Sequence, residues 1–555
     1  MPSTDRLKIS LAQLNPTVGD IAGNAAKLKG ALATARDQGA DLVVSPELFL
    51  AGYPTEDLVL KPAFLDAIEQ AVDALKQETA SGGPALLVGA PWRHEGRVYN
   101  AALLLDRGEL RTVRFKHDLP NYGVFDEKRV FAAGSPPGPI AFRGVRLGVM
   151  ICEDMWTPDV TETLEESGAQ MLIVMNGSPF EADKQDERVQ LAVQRVKESG
   201  LALLYVNQIC GQDELVFDGA SFALDRECRL MLQAPSWQEA VVPTDWRLDD
   251  DERWVIEPGL MVPPEEGLAA TYQAMVLGLR DYVTKNRFPG VVLGMSGGID
   301  SALSAAVAAD ALGPDKVHCV MLPYHYTSSD SLEDAEAAAK LLGVDYRSVA
   351  IAPAVEAFGE MLAPAFAGRD SDITEENLQS RARGITLMAL SNKFGWMVLS
   401  TGNKSEMSVG YATLYGDMCG GYAVLKDIYK TTVFALARWR NANKPAGALG
   451  PDGPVMPERI ITKPPTAELK PNQKDQDTLP PYDVLDDILE CLIEREMTPD
   501  AIAARGHAPD TVMRVWRMLD RAEYKRRQAP PGVKTTRRAF GRDRRYPITN
   551  SFQGG

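Results

Sequence analysis

The stretch Pro289-Gly290-Val291-Val292-Leu293-Gly294-Met295-Ser296-Gly297-Gly298-Ile299-Asp300-Ser301, followed by the Ala-rich run 302–312, decides how the second half of the chain folds. Val291, Val292 and Leu293 form a short apolar run bounded by glycines, which predicts a buried strand. Small residues then open a helix whose first N–H groups lie at its positive end, where a polyphosphate can sit. The run therefore predicts a phosphate cradle between a strand and a helix. It lacks the Gly-Lys-Ser/Thr ending of the loop used by kinases and GTPases. The Asp300 carboxylate is a hard oxygen ligand suited to Mg2+, and the Ser301 hydroxyl can donate to a phosphate.

Outward from the cradle, apolar runs and helical stretches alternate: a helix over 268–286, a strand over 317–322, a helix over 331–342, a strand over 346–351, a helix over 374–394 and a strand over 396–399. That order predicts a doubly wound parallel sheet with ligands at the carboxyl ends of its strands. Residues 441–481, rich in Pro, Gly and Asn, read as an ordered loop region, and 483–527 as helices. In the first half the apolar runs are 7–14, 41–44, 85–88, 101–105, 145–151, 171–175 and 201–206. Strands this apolar throughout are buried on both faces, so this half is predicted as a layered α/β structure. The acidic, Pro- and Gly-rich stretch between the halves predicts a first domain over 1–245, a linker over 246–267 and a second domain over 268–555.

A chain of 555 residues is too long for one core. No apolar run approaches the ~20 residues of a membrane-spanning helix, and the N-terminus has no signal-peptide layout, which predicts a cytoplasmic protein. The six cysteines are scattered without a Cys-x-x-Cys pair, arguing against a disulfide framework or a zinc site. A net charge of −17 opposes binding to nucleic acid or anionic membranes. The exception is the basic tail from Lys525 to Arg545. Phe540, Tyr546, Pro547 and Ile548 in that region predict an ordered segment, packed on the body near an anionic ligand or a neighbouring subunit.

Three strands of the first half each end on a residue suited to acyl transfer. Glu47 follows the run 41–46, Lys116 follows 110–115 and Cys152 follows 145–151. Strand ends are expected to converge on one edge of a sheet. A thiol needs activation, and a nearby cation lowers its pKa while a carboxylate takes its proton. The same carboxylate can then protonate a departing amine and later activate water.

These residues resemble the catalytic triad of the nitrilase superfamily in its usual order of Glu, Lys and Cys. The text Cys152-Glu153-Asp154-Met155-Trp156 is similar to the glutaminase branch that is fused to NAD synthetases. That resemblance implies an αββα sandwich, glutamine contacts at Tyr122, Ser178 and Lys184, and a second active-site glutamate at Glu127. Glu127 also reads as a salt-bridge partner of Lys116. The cradle resembles the SGGxDS loop of the N-type ATP pyrophosphatases, which cleave ATP between its α and β phosphates and adenylate a carboxyl. The resemblance places ATP on Gly294, Met295, Ser296, Gly297, Gly298, Ile299, Asp300, Ser301 and Thr401.

The stretch Thr401-Gly402-Asn403-Lys404-Ser405-Glu406 is similar to a segment of the NAD synthetases, where the glutamate lies at the Mg2+ and dinucleotide site. It implies Mg2+ on Asp300 and Glu406, and Lys404 offsetting phosphate charge. The helix 376–383 resembles the segment that holds deamido-NAD, which implies contacts at Asn377 and Arg381, with Gln379 less direct. Glu406 and Lys525 join them. Further similar stretches are 411–421, 425–430, 461–468 and 523–528. As a whole the chain resembles the glutamine-dependent NAD+ synthetases from about Leu7 to Ile548. The resemblance implies L-glutamine, ATP and deamido-NAD as substrates, Mg2+ as cofactor, a homo-oligomer, and a water-poor passage carrying ammonia from Cys152 to the adenylate.

Other readings are open at this point. Another glutamine amidotransferase could carry the same ATP loop, although the helix 376–383 argues against it. A nucleotide-sensing module attached to a plain amidase is disfavoured by the pairing of Asp300 with Glu406. An RNA-binding role for the tail fits poorly with the overall charge.

Overall fold

The computed structural model describes residues 5–552 apart from 183 and 472. The chain divides between Glu265 and Glu266 into two compact units. In the first, strands β1 (Arg6–Gln13), β2 (Leu42–Val44), β3 (Ala85–His94), β4 (Arg97–Asp106) and β5 (Glu109–Phe115) join β14 (Ala240–Leu248) and β15 (Trp254–Ile256) in a seven-stranded sheet of order β15-β14-β1-β2-β3-β4-β5. A six-stranded sheet runs β13-β12-β9-β8-β7-β6, built from β6 (Ile140–Phe142), β7 (Val145–Ile151), β8 (Met171–Met175), β9 (Leu203–Val206), β12 (Phe222–Leu224) and β13 (Leu230–Gln233). Strands β10 (Ile209–Gln212) and β11 (Leu215–Asp218) form a separate hairpin.

Period-two alternation explains why these strands are apolar on every position. In β2, Leu42 and Val44 enter the core between the sheets while Val43 faces helices Ile21–Asp37 and Pro62–Glu78. In β7, Val149 and Ile151 enter the same central core while Met150 joins the layer containing helices Pro158–Glu166 and Lys184–Ser199. Each strand therefore feeds two cores, and the layers stack as αββα. The stretch expected as a linker over 246–267 differs in its first half. Trp246, Trp254 and Ile256 are buried in the central core, so β14 ends and β15 forms within that stretch. Its acidic residues 249–252 make the turn between these two strands.

The second unit holds a parallel sheet of order β18-β17-β16-β19-β20. Its strands are β16 (Val291–Gly294), β17 (Val317–Met321), β18 (Asp345–Ser348), β19 (Met397–Ser400) and β20 (Tyr422–Ala423). Strand order reverses between β16 and β19, which creates a crevice at their carboxyl ends. The Ala-rich helix Ile299–Leu312 is buried almost throughout. Its small side chains suit close packing between helices Gly267–Lys285 and Lys430–Ala442. Helices Tyr482–Ile493 and Pro509–Arg521 form a further core that includes Phe540 of the basic tail. The tail is ordered, as expected, with Lys534, Thr535 and Arg544 buried. No helix among the described residues is long and apolar enough to cross a membrane.

Candidate active sites

In the first unit Glu47 and Lys116 are fully buried. Glu47 Oε1 accepts from Lys116 Nζ and from Asn100 Nδ2, each at 2.7 Å, and Oε2 accepts the Gly177 N–H at 2.9 Å. Lys116 also pairs with both oxygens of Glu127, at 2.9 and 3.0 Å, and Glu127 accepts from Tyr53 Oη at 3.0 Å. Cys152 opens the short helical turn Cys152–Met155 directly after β7, with a φ of 47°. That left-handed backbone is strained for a residue with a side chain. The Asp154 carboxylate accepts N–H groups from Ile151 at 3.0 Å, His117 at 3.0 Å and Asp118 at 2.8 Å. One buried acid thus ties the cysteine turn to the residues after Lys116.

Burial opposes the charge of Lys116, but Glu127 and Glu47 outweigh it and hold its pKa well above that of a free lysine. Burial pushes the Cys152 thiol well up, with Glu47 acting in the same direction against Lys116. The resting thiol is neutral, so a base must take its proton during attack. Burial lifts Glu127 to about 7 against the pull of Lys116. The three strand-end residues do meet, but not on one edge of one sheet. Glu47 and Lys116 follow strands of the seven-stranded sheet, whereas Cys152 follows β7 of the six-stranded sheet, so the cluster spans the two facing layers.

The other expected residues of this unit are distributed around that cluster. Tyr122, 52% exposed, donates to both carboxylate oxygens of Glu153 at 3.1 Å. Ser178 is buried, its N–H donating to Asn207 Oδ1 at 3.1 Å and its Oγ accepting from Arg188 Nε at 3.1 Å. Lys184 is buried with its ammonium 5.8 Å from the Phe125 ring centre and 5.9 Å from that of Trp156. Arg188, absent from the sequence reading, grips Asp218 at 2.8 and 2.9 Å and the carbonyls of Ser178 and Pro179 at 2.9 and 2.7 Å. Asn100 was also missed, although an amide beside the apolar run 101–105 was the available signal.

In the second unit the cradle lies between β16 and the helix Ile299–Leu312, with Gly298 at the helix N-cap. Gly297 has a φ of 75°, and a Cβ there would lie 2.3 Å from the Ser331 carbonyl oxygen. Only glycine fits that position. Ser301 Oγ accepts the Ser296 N–H at 3.2 Å and donates to the Gly298 carbonyl at 2.9 Å, closing the loop on itself. Gly294 ends β16, Met295 and Ile299 are buried beneath the loop, and Thr401 follows β19 half-buried.

Asp300 Oδ1 accepts from Asn403 Nδ2 at 2.9 Å, and its Oδ2 pairs with the buried ammonium of Lys430, which also reaches Glu406 Oε1 at 3.0 Å. Asn403 Oδ1 accepts the Glu406 N–H at 2.9 Å, so one side chain aligns both acids across the crevice. Burial opposes the charge of Lys430, but Asp300 and Glu406 more than restore it and raise its pKa. Burial also lifts Glu406 to about 7 against Lys430. Lys430 ends the stretch 425–430, which the resemblance covers without giving this lysine a role. Among the described residues no three His, Cys, Asp or Glu side chains gather as a metal cage.

Of the expected dinucleotide residues, Asn377, Arg381 and Lys525 converge on the segment 410–414, whereas the Glu406 side chain turns to Lys430. Asn377 Oδ1 accepts from Thr413 Oγ1 at 2.9 Å, Arg381 Nε donates to the Leu414 carbonyl at 3.2 Å, and Lys525 Nζ donates to the carbonyls of Gly410 and Ala412 at 2.7 and 2.6 Å. Gln379 is buried and donates to the Leu469 carbonyl at 3.0 Å. Lys404 departs from its expected role. It is fully buried, with its ammonium 2.5 Å from Glu494, 2.8 Å from Asp427, 2.7 Å from Thr536 Oγ1 and 2.9 Å from the Arg538 carbonyl. Four partners from the tail and its supports consume its charge, so it anchors the tail instead of offsetting phosphate.

The Carbon-nitrogen hydrolase family matches residues 8–254 and the NAD synthase family matches residues 271–529. The chain is 50% identical over 550 residues to the glutamine-dependent NAD(+) synthetase of Rhodobacter capsulatus, covering 99% of each. It is 43% identical over 580 residues to that of Thermotoga maritima, again covering 99% of each. Among solved structures, the glutamine-dependent NAD+ synthetase of Acinetobacter baumannii in complex with ADP superposes with a TM-score of 0.78 at 44% identity, covering 98% of this chain and 99% of that one. The enzyme of Cytophaga hutchinsonii, at 21% identity, shares the fold with a TM-score of 0.81 over 98% of each chain.

Proposed function

The chain belongs to the glutamine-dependent NAD+ synthetases, and from that membership we propose how its own residues divide the reaction. It is a ligase that amidates deamido-NAD to NAD+ in an ATP-dependent reaction, with ammonia taken from L-glutamine. In the glutamine half, Cys152 Sγ attacks the side-chain amide carbon as Glu47 takes the thiol proton and passes it to the leaving ammonia. The Lys116 ammonium stabilises negative charge on the carbonyl oxygen. Water, activated by Glu47, then releases glutamate from the thioester. Tyr122, Ser178 and Lys184 bind glutamine, and Glu127 keeps Lys116 charged and in place. The ion-paired cluster of Glu47, Lys116 and Glu127 beside a strained, neutral cysteine carries this reading.

In the synthetase half, the nicotinate carboxylate attacks the α-phosphorus of ATP and expels pyrophosphate. Ammonia then attacks the acyl adenylate and expels AMP. Residues 294–301 bind the phosphates with Thr401, and Asn377, Arg381, Glu406 and Lys525 hold deamido-NAD. Asp300 and Glu406, two hard-oxygen donors converging on one buried cation, fit Mg2+ and would hold it with phosphate oxygens and water. When bound, the ion offsets triphosphate charge. The working enzyme is a cytoplasmic homo-oligomer acting on small molecules, and its net charge of −17 supports the absence of nucleic-acid and membrane partners.

The test is product analysis with deamido-NAD, ATP, Mg2+ and glutamine. NAD+, AMP, pyrophosphate and glutamate should form in equal amounts. Formation of ADP and phosphate in place of AMP would contradict adenylation of the carboxyl.

A further inference from the structure

Asn100 stands at the meeting point of the glutaminase cluster without belonging to the expected triad. It lies in β4, and its backbone carbonyl accepts the Lys116 N–H at 2.8 Å, setting where the lysine leaves β5. Its side-chain Nδ2 donates to Glu47 Oε1 at 2.7 Å and lies 3.4 Å from Glu127 Oε2. Glu47 Oε1 also accepts from the Lys116 ammonium, so the amide faces this acceptor with its nitrogen. That orientation leaves Oδ1, on a fully buried side chain, with no hydrogen-bond partner among the described residues. A residue retained for packing alone would be apolar at this depth, since a buried orphan carbonyl opposes folding. The amide is kept because of what its nitrogen holds.

We propose that Asn100 is the positioning residue of the glutaminase centre, fixing the Glu47 carboxylate beside Lys116 so that it can exchange a proton with the Cys152 thiol. The proposal rests on the reading of Glu47, Lys116 and Cys152 as that centre. The constraint is geometric. Asn100 and Lys116 occupy Oε1 of Glu47 while the Gly177 N–H occupies Oε2, and three donors from three different stretches leave the carboxylate one orientation. Without Asn100, Glu47 keeps Lys116 on Oε1 and the Gly177 N–H on Oε2 but loses the third donor, and the looser carboxylate affects proton transfer more than glutamine binding.

The test uses the full chain with Asn100→Ala and the isosteric Asn100→Asp, each assayed with glutamine and with concentrated ammonium as nitrogen donor. Ammonium-driven synthesis should stay within about twofold of wild type. Glutamine-driven kcat should fall by about 100-fold, within the range of a lost acid–base contribution, with little change in KM for glutamine. The acid limb of the glutamine-driven pH profile should move to higher pH, because a carboxylate that loses an N–H donor holds its proton longer. The charged and titratable groups facing these carboxylates, Lys116, Tyr53, Cys152 and Glu153, are unaltered in both variants. Asn100→Asp adds a like charge and should move the limb further. An unchanged kcat and pH limb in both variants, in an enzyme that Cys152→Ala does inactivate with glutamine, would overturn the proposal alone. Loss of ammonium-driven synthesis in both variants would make Asn100 a structural residue and also overturn it. If Cys152→Ala spares the glutamine reaction, the reading of the centre falls and the proposal with it.

Discussion

Gly297 is the most confined position of the phosphate loop. Its positive φ costs any other residue about 1–2 kcal/mol, and the Ser331 carbonyl oxygen, 2.3 Å from where a Cβ would lie, leaves no room for a methyl group. Gly297→Ala should therefore displace the loop. Synthesis should fall at least tenfold with glutamine and with ammonium alike, while glutamine binding at the first site is unaffected. Steady-state assays with both donors check this, and an unchanged KM for ATP would contradict it. Cys152 and the loop after Gly294 were legible because each follows an apolar strand, whereas Glu47 and Lys116 were legible only through the order Glu, Lys, Cys that the family resemblance supplies. Asn100, Asp154 and Arg188 were not legible, because their roles depend on which backbone groups lie opposite them after two sheets pack. Glu127 was legible with two roles open, and its contacts at 2.9 and 3.0 Å establish the ion pair with Lys116.

Among the elements, the short helix Lys404–Val409 carries two kinds of side chain from one turn. Glu406 reaches the crevice beside Lys430, while Lys404 is buried against Asp427, Glu494 and the tail. Replacing Lys404 by Met removes the ammonium that pairs with the buried Asp427 and the partly buried Glu494, which costs roughly 3–5 kcal/mol. Lys404→Met should lower the Tm and expose the tail beyond residue 530 to limited proteolysis, with KM for ATP near wild type in protein that stays folded. A raised KM for ATP at unchanged Tm would restore the phosphate-contact role. Strand periodicity placed most elements correctly because each strand serves two cores. It failed over 240–256, where acidic turn residues separate two strands whose buried positions, Val242, Thr244, Trp246, Trp254 and Ile256, alternate with exposed or half-buried neighbours.

At the scale of the whole molecule, the two compact units carry different half-reactions of one ligase. Ammonia is the nucleophile towards an acyl adenylate, but at neutral pH nearly all of it in solution is protonated and unreactive. A glutaminase on the same chain supplies it unprotonated, which accounts for joining an amide-cleaving centre to an ATP-dependent one. The need for both units was legible in the two motif sets. The division of labour between them is a claim about chemistry that a single substitution can separate. Cys152→Ala should abolish NAD+ formation from deamido-NAD, ATP and Mg2+ when glutamine is the donor, and preserve it when concentrated ammonium is. Retention of the glutamine-driven reaction by this variant would contradict the account.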